Sequence, residues 1–252
     1  MSAENEPITN DENIRGWSIV SESEHEAFGD EGDFARRHLL TPSMLELIGP
    51  PAGRRILDAG AGNGYLSRIL ARTGAEVTAL EPAESGYRYI AAREESNPLG
   101  ISCVQQDLST MRQYSDVFDI VVANMVLLDI PDFEAAIANC LNALKPAGSF
   151  IFSIEHPSTD TADRSGLPFK VSDYFSERAM PRQVAHNFHR TIETYVDALA
   201  ECGAVIERIR EPRLPADVAE RHPERAWAHW LPAFIIFKAR KVLTEDGASR
   251  RV

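Results

Sequence analysis

The chain has 252 residues, 44% apolar and 25% charged, which suits one large α/β domain and excludes wholesale disorder. No apolar run reaches the ~20 residues of a membrane span, and three dispersed cysteines, Cys103, Cys140 and Cys202, exclude a disulfide framework and a four-cysteine zinc site. The net charge of −12 is concentrated in residues 1–34, which hold ten acids and one arginine, so the remainder is nearly neutral and offers no basic stripe for a nucleic-acid backbone.

The polar, acidic N-terminus has the character of neither a signal nor a transit peptide, and a reducing cytoplasm is the expected location. Residues 1–50 read as an acidic leader that ends in a helix over 42–48. Trp17, Phe28 and Phe34, set among Asp33, Arg36 and Arg37, suit an N-terminal helical lid. From residue 54 strands and helices alternate. Arg54–Asp58 is a strand, and Leu66, Ile69 and Leu70 place a helix over 65–72. Glu76–Leu80 is the second strand, and Tyr87, Ile90 and Ala91 mark the inner face of a helix over 84–95. Ile101–Gln105 is the third strand. Phe118–Ala123, a continuous apolar run, suits a strand buried on both faces of a parallel sheet. Pro131 and Asp132 open a helix whose inner face is Phe133, Ile137, Cys140, Leu141 and Leu144, and Lys145, Pro146 and Gly148 stop it before a fifth strand at Ser149–Ile154.

The rhythm then breaks. Residues 156–190 far exceed the roughly 2–6 residues of an ordinary αβ connection, and their aromatics, Phe169, Tyr174, Phe175 and Phe188, suit an insertion that packs as a substrate lid. Thr191 caps a helix to Cys202, and Ala204–Arg210 and Ala233–Ala239 are the last strands. The expectation is an α/β fold: a Rossmann-like, seven-stranded, doubly wound sheet flanked by helices, occupying 51–240, with an N-terminal helical lid, an insertion after strand five and a polar tail over 241–252.

The first strand runs into Asp58-Ala59-Gly60-Ala61-Gly62-Asn63-Gly64-Tyr65. Glycines at a strand-to-helix turn let the backbone approach a ligand. A dinucleotide fingerprint, G-x-G-x-x-G, needs its third glycine where Tyr65 stands, so a ligand without a pyrophosphate is favoured. Glu81 ends the second strand, where a carboxylate can accept from both hydroxyls of a ribose. Asp107, before Leu108, ends the third and can read an adenine edge. Together with the loop these acids make an adenosine site.

The motifs ILDAGAGNG (56–64), ALEPA (79–83), QQDLS (105–109), FDIVVANMVLLDIPD (118–132) and LKPAGSFIFSIEHP (144–157) resemble the core of class I S-adenosylmethionine-dependent methyltransferases. The leader segment GDEGDFARRHLLTPSMLELIG (29–49) more softly resembles the small-molecule, secondary-metabolite branch. The resemblance implies S-adenosylmethionine as methyl donor and S-adenosylhomocysteine as product. It implies that Asp58 orients the loop and meets the methionine ammonium. Gly60, Gly62 and Asn63 would pass the methionine and ribose, Glu81 with Pro82 would hold the ribose, Asp107 and Leu108 would bind adenine, and Asn124 and Met125 would lie by the sulfonium. The Asn-Pro-Pro-Tyr motif used on planar nitrogens is replaced by Asn124-Met125-Val126-Leu127, which disfavours DNA-adenine and glutamine acceptors.

For the acceptor's proton, histidine has the suitable pKa. His156, directly after strand five, and His189, at the end of the insertion, are the catalytic candidates, ahead of His25 and His38 in the leader. Arg36 or Arg37 would clamp the cofactor carboxylate bidentately, with Arg37 assigned. No metal site is expected, since the histidines are scattered and Asp129 lacks a matching acid. The expected function is methyl transfer to an N or O atom of a small metabolite, with no nucleic-acid or membrane partner and with homo-oligomerisation left open. The alternatives are a non-catalytic S-adenosylmethionine-binding module and a methyltransferase acting on a protein. A nicotinamide dehydrogenase is disfavoured by Tyr65.

Overall fold

The computed structural model describes residues 7–163 and 169–242; the expected polar tail therefore lies outside the described residues except at its first two positions. Five strands, β1 (Arg55–Ala59), β2 (Glu76–Leu80), β3 (Ser102–Val104), β4 (Phe118–Asn124) and β5 (Leu144–Glu155), run parallel; helices cross over from β1 to β2, β2 to β3 and β4 to β5, and a loop joins β3 to β4. The last two, β6 (Ala204–Arg210) and β7 (Phe234–Lys241), complete the sheet in the order β6-β7-β5-β4-β1-β2-β3. β7 runs antiparallel to both neighbours, so it enters between β5 and β6 as a hairpin partner. The order reverses between β1 and β4, which opens a crevice at their C-terminal ends.

Helices cover both faces. On one, α6 (Phe133–Ala143) and α7 (Ile192–Glu201) pack Phe133, Ile137, Cys140 and Tyr195 onto Phe150, Phe152 and Phe237. On the other, α3 (Thr41–Ile48), α4 (Tyr65–Arg72) and α5 (Glu84–Ser96) bring Met44, Leu66, Leu70 and Ile90 onto Ile56, Val77 and Ile151. Val121, Val122 and Ala123 of β4 are wholly buried, as a strand with helices on both sides requires.

Two boundaries depart from expectation. β5 begins at Leu144, so Lys145–Gly148 form an irregularity within the strand rather than a stop before it; the register with β4 jumps there, and Ala147 takes a positive φ of 60°. The leader also carries two further helices, α1 (Asn10–Trp17) and α2 (Glu22–Ala27). Each starts with a capping box, Thr9 with Glu12 and Ser21 with Glu24, which satisfies backbone donors at its N-terminus. In the insertion, residues 178–181 and 186–189 pair as an antiparallel hairpin.

Candidate functional site

A single cavity lies at the crevice. It is lined by the glycine loop, by the segments that follow β2, β3 and β4, and by α1 and α2 of the leader. β1 delivers Asp58, which is buried and accepts from Ser67 Oγ at 2.6 Å; burial pushes its carboxyl up to about 6. The chain then turns through Gly60 and Gly62, at φ of 74° and 59°. A Cβ on Gly60 would lie 2.6 Å from the Val126 side chain, whereas one on Gly62 would project into open space. The first glycine is thus demanded by the protein's own packing. The second leaves room that a ligand can use.

Glu81, next after β2, is buried against this loop. Its Oε2 accepts from the Gly62 N–H at 2.8 Å and its Oε1 from the Ala83 N–H at 2.9 Å. Burial raises its carboxyl to about 7, although both N–H groups favour the charged form. Asp107 binds Ser109 twice, through N–H and Oγ, both at 2.8 Å. At the end of β4, Asn124 accepts from Ser153 Oγ and donates to the Tyr65 hydroxyl, so both ends of its amide are engaged. Met125 then takes φ +62°, with its N–H held by Ser153.

The leader roofs this cavity and is latched on several sides. Asn13 donates to the carbonyls of Asp129 (2.6 Å) and His186 (2.7 Å) and accepts from the His186 N–H (2.8 Å). Asn10 reaches Ser109 Oγ at 3.2 Å, the Trp17 carbonyl accepts from Ser85 at 3.1 Å, and Asn63 donates to the His25 carbonyl at 3.2 Å. His25 itself is buried, beside Ser85 Oγ and stacked on Tyr89. One side chain, Asn13, therefore ties the leader to both the turn after β4 and the hairpin of the insertion.

Residues 57–152 match a family described as a methyltransferase domain. Over 119 residues the chain is 34% identical to a ubiquinone biosynthesis O-methyltransferase of Coxiella burnetii, covering 46% of this chain and 51% of that protein. It is 31% identical over 161 residues to the protein of that name from Albidiferax ferrireducens, covering 60% of this chain and 63% of that one. The chain thus spans about half the length of the first of these relatives. A solved S-adenosylmethionine-dependent methyltransferase from Mesorhizobium loti superposes with a TM-score of 0.74 at 25% identity, over 84% of this chain and 100% of that one. Residues 57–152 thus carry a methyltransferase domain, on the fold of class I S-adenosylmethionine-dependent methyltransferases.

Within this methyltransferase fold the cavity gathers Asp58, Gly60, Gly62, Asn63, Glu81, Pro82, Asp107, Leu108, Asn124 and Met125, all from the sequence reading. Three other expected residues fall outside it. Arg37 turns away to pair with the exposed Glu31 at 3.0 Å, while its neighbour Arg36 lines the cavity, paired with Asp33 at 3.1 Å and lying over Phe28. The two arginines open a short π-helical turn, Arg36–Leu40, whose successive side chains point in different directions, and only Arg36 lines the cavity. His156 does not reach the cavity: its Nδ1 caps the one-turn helix Pro157–Asp160 through Ser158, and its Nε2 meets Glu211 at 3.0 Å. His189 is fully buried within the insertion, with Nδ1 on Asp160 at 2.9 Å and Nε2 on the Tyr174 carbonyl at 2.8 Å. Both imidazoles have spent their nitrogens on the fold. His38, the other leader histidine considered for the acceptor's proton, packs on Phe34 and does not line the cavity. Among the described residues no cluster of metal-ligating side chains occurs, and no helix is long and apolar enough to cross a membrane.

The sequence reading assigned Arg37 rather than Arg36, read the leader as a lid without placing helix α1, and did not put Asp129 in the cavity wall. The capping boxes at Thr9 and Ser21 were the signal for the roof. Nothing local marks which of two adjacent arginines turns inward.

Proposed function

We propose that the protein transfers a methyl group from S-adenosylmethionine to a nitrogen or oxygen of a small-molecule metabolite. The observation that carries this reading is the convergence of three acids, Asp58, Glu81 and Asp107, from β1 and the ends of β2 and β3, on one cavity beneath a latched leader. The cavity fits the donor. Glu81 already spends one lone pair on each oxygen on loop N–H groups, and its remaining pairs would take the two ribose hydroxyls. Asp107 would take the adenine amino group, Asp58 the methionine ammonium, and Arg36 the methionine carboxylate, in place of Arg37. The relatives named as O-methyltransferases of ubiquinone biosynthesis favour a small acceptor.

The sulfonium of the donor supplies an already activated methyl group. The protein's share is therefore alignment and the exclusion of water. Asn124, fixed at both ends by Ser153 and Tyr65, and Met125, held at positive φ, set the wall beside the reacting carbon. The leader and the insertion meet over that wall through Asn13 and act as the lid. Asn13→Ala removes three hydrogen bonds at the latch. It is expected to weaken S-adenosylhomocysteine binding roughly fivefold to tenfold and to speed tryptic cleavage at Arg15. Unchanged affinity and cleavage would leave Asn13 as an ordinary fold contact. His156→Ala, by contrast, is expected to cost about 1 kcal/mol of stability through the lost helix cap while leaving turnover unchanged; a collapse in turnover with a normal melting temperature would return the base to His156.

The reading itself is tested by incubating the protein with methyl-labelled S-adenosylmethionine and, separately, the metabolites, proteins and RNA of its host. Label in the metabolite fraction supports it. Label in protein alone overturns the acceptor class, and failure to bind S-adenosylhomocysteine in calorimetry overturns the donor site.

A further inference from the structure

Asp129 ends the short 3-10 turn Leu127–Asp129 that follows β4, in the cavity wall with Met125, Val126 and Ile130. Its backbone is fully used: the N–H donates to the Val126 carbonyl, and its own carbonyl accepts from Asn13. Its carboxyl is not. Oδ1 is buried without a hydrogen-bond partner. The charged groups around it are Arg36, Arg182, Glu155 and Glu81. Arg36 is paired with Asp33 and Arg182 with Glu155, so neither cation bonds Asp129. A buried carboxyl oxygen without a donor is costly, and this one, unlike those of the buried Arg68–Glu94 pair, belongs to a residue of the cavity wall, where a ligand's donor could satisfy it.

Resting on the methyl-transfer reading above, we propose that Asp129 is the proton acceptor of the reaction and that the methyl acceptor is a small molecule presenting an alcoholic or phenolic hydroxyl to it. A hydroxyl is a weak nucleophile until its proton leaves, whereas a neutral amine attacks with a lone pair it already has. As the hydroxyl oxygen bonds to the methyl carbon, the carbon–sulfur bond breaks and its electron pair returns to sulfur, which becomes a neutral thioether. The hydroxyl proton passes to the Asp129 carboxylate, and the resulting acid later loses it to water. Net charge is conserved, and no further reactant is needed. Burial holds the Asp129 carboxyl well above the usual carboxylate range, with the like charge of Glu155 adding to this and Arg36 and Arg182 opposing it. That direction makes it a stronger base than an exposed aspartate. His25, the one histidine lining the cavity, is already engaged with Ser85 and Tyr89.

The test compares the full chain with Asp129→Asn, which keeps the shape and loses the basic oxygen. Calorimetry with S-adenosylhomocysteine serves as the control: both proteins should bind within about twofold, and failure of the unaltered protein to bind sinks the methyl-transfer reading, not the role of Asp129. In the S-adenosylhomocysteine complex labelled at the aspartate carboxyl carbons, the 13C resonance missing from Asp129→Asn should titrate well above the ordinary value of about 4. It should shift on adding phenol and stay in place on adding anisole. With the metabolite extract, labelled-methyl transfer should fall on the order of a hundredfold in Asp129→Asn, and the unaltered protein's rate should rise with pH to a plateau that the variant lacks. A titration near 4, equal responses to phenol and anisole, or label transfer by Asp129→Asn within threefold of the unaltered protein would each overturn the assignment.

Discussion

Glu81→Ala is expected to weaken S-adenosylhomocysteine binding by about 1–3 kcal/mol, on the order of ten- to a hundredfold, with the fold retained. The effect is large because Glu81 serves two ends at once. Its carboxylate fixes the glycine loop through the Gly62 N–H and anchors Ala83 at the start of α5, and the residue lines the cavity. Gln is no neutral replacement: the amide has one acceptor oxygen for two backbone donors and would set an NH2 group against one of them. Glu81→Gln should therefore also bind weakly. The same residue gives the affinity a pH dependence. Burial raises the Glu81 carboxyl to about 7 in the free protein. Ribose hydroxyls donate to the charged form, so binding lowers that value and releases a proton. Affinity should be level above pH 7 and fall toward tenfold per unit below it, and Glu81→Ala should remove the part that begins near 7, leaving the weaker fall that sets in near 6 as Asp58 is protonated. Calorimetry at pH 6 and 8 in two buffers of different ionisation enthalpy reads both the affinity and the proton. Equal affinities at the two pH values, with no proton released, would remove Glu81 from the ribose.

What could be read from the chain alone follows from how local each signal is. The apolar run of β4, the glycine loop and the acids after β2 and β3 are fixed by a few adjacent residues, because a buried parallel strand and a tight turn each demand particular residue types at particular places. The leader reads as a helical lid from its aromatics, but its first two helices are not placed by that pattern, although Thr9–Glu12 and Ser21–Glu24 form capping boxes, and the acids there serve helix starts as well as solubility. His156 and His189 show the opposite case. Their positions after β5 and at the end of the insertion put them near the catalytic edge of the sheet, but ring direction depends on distant partners, Glu211 for one and Asp160 with the Tyr174 carbonyl for the other. Asp129 was visible only as an acid without a metal partner. That its Oδ1 lacks a hydrogen-bond donor emerges only when α1, β5 and the insertion have closed around it.

Arg190 shows how the insertion controls that closure. Its guanidinium is buried and donates to three carbonyls, of Leu127 (3.2 Å), Ile130 (2.8 Å) and Pro131 (3.0 Å), while lying over the rings of Phe133 and Phe188. These carbonyls flank Asp129 on both sides, so one side chain holds the turn after β4 in the shape that lines the cavity. Arg190→Ala removes a donor from three carbonyls, of which only Leu127's keeps another, the Ile130 N–H, among the described residues, and it leaves a void between two aromatic rings. It is expected to cost about 3–5 kcal/mol of stability, one of the largest single-residue effects outside the sheet. Arg190→Lys should recover only part of this, because an ammonium reaches fewer of the three carbonyls and loses the planar fit between the rings. Two measurements separate scaffold from site. Urea unfolding gives the stability change. Hydrogen exchange at the Leu127–Asp129 amides, in the variant that remains folded, shows whether the turn loosens before the sheet does. If Arg190→Ala unfolds with an unchanged midpoint, the carbonyls have found other donors and the turn does not depend on the insertion. If stability falls and these amides exchange first, the insertion works as a clamp on the acceptor wall, and the lid and the reacting edge of the sheet form one mechanical unit.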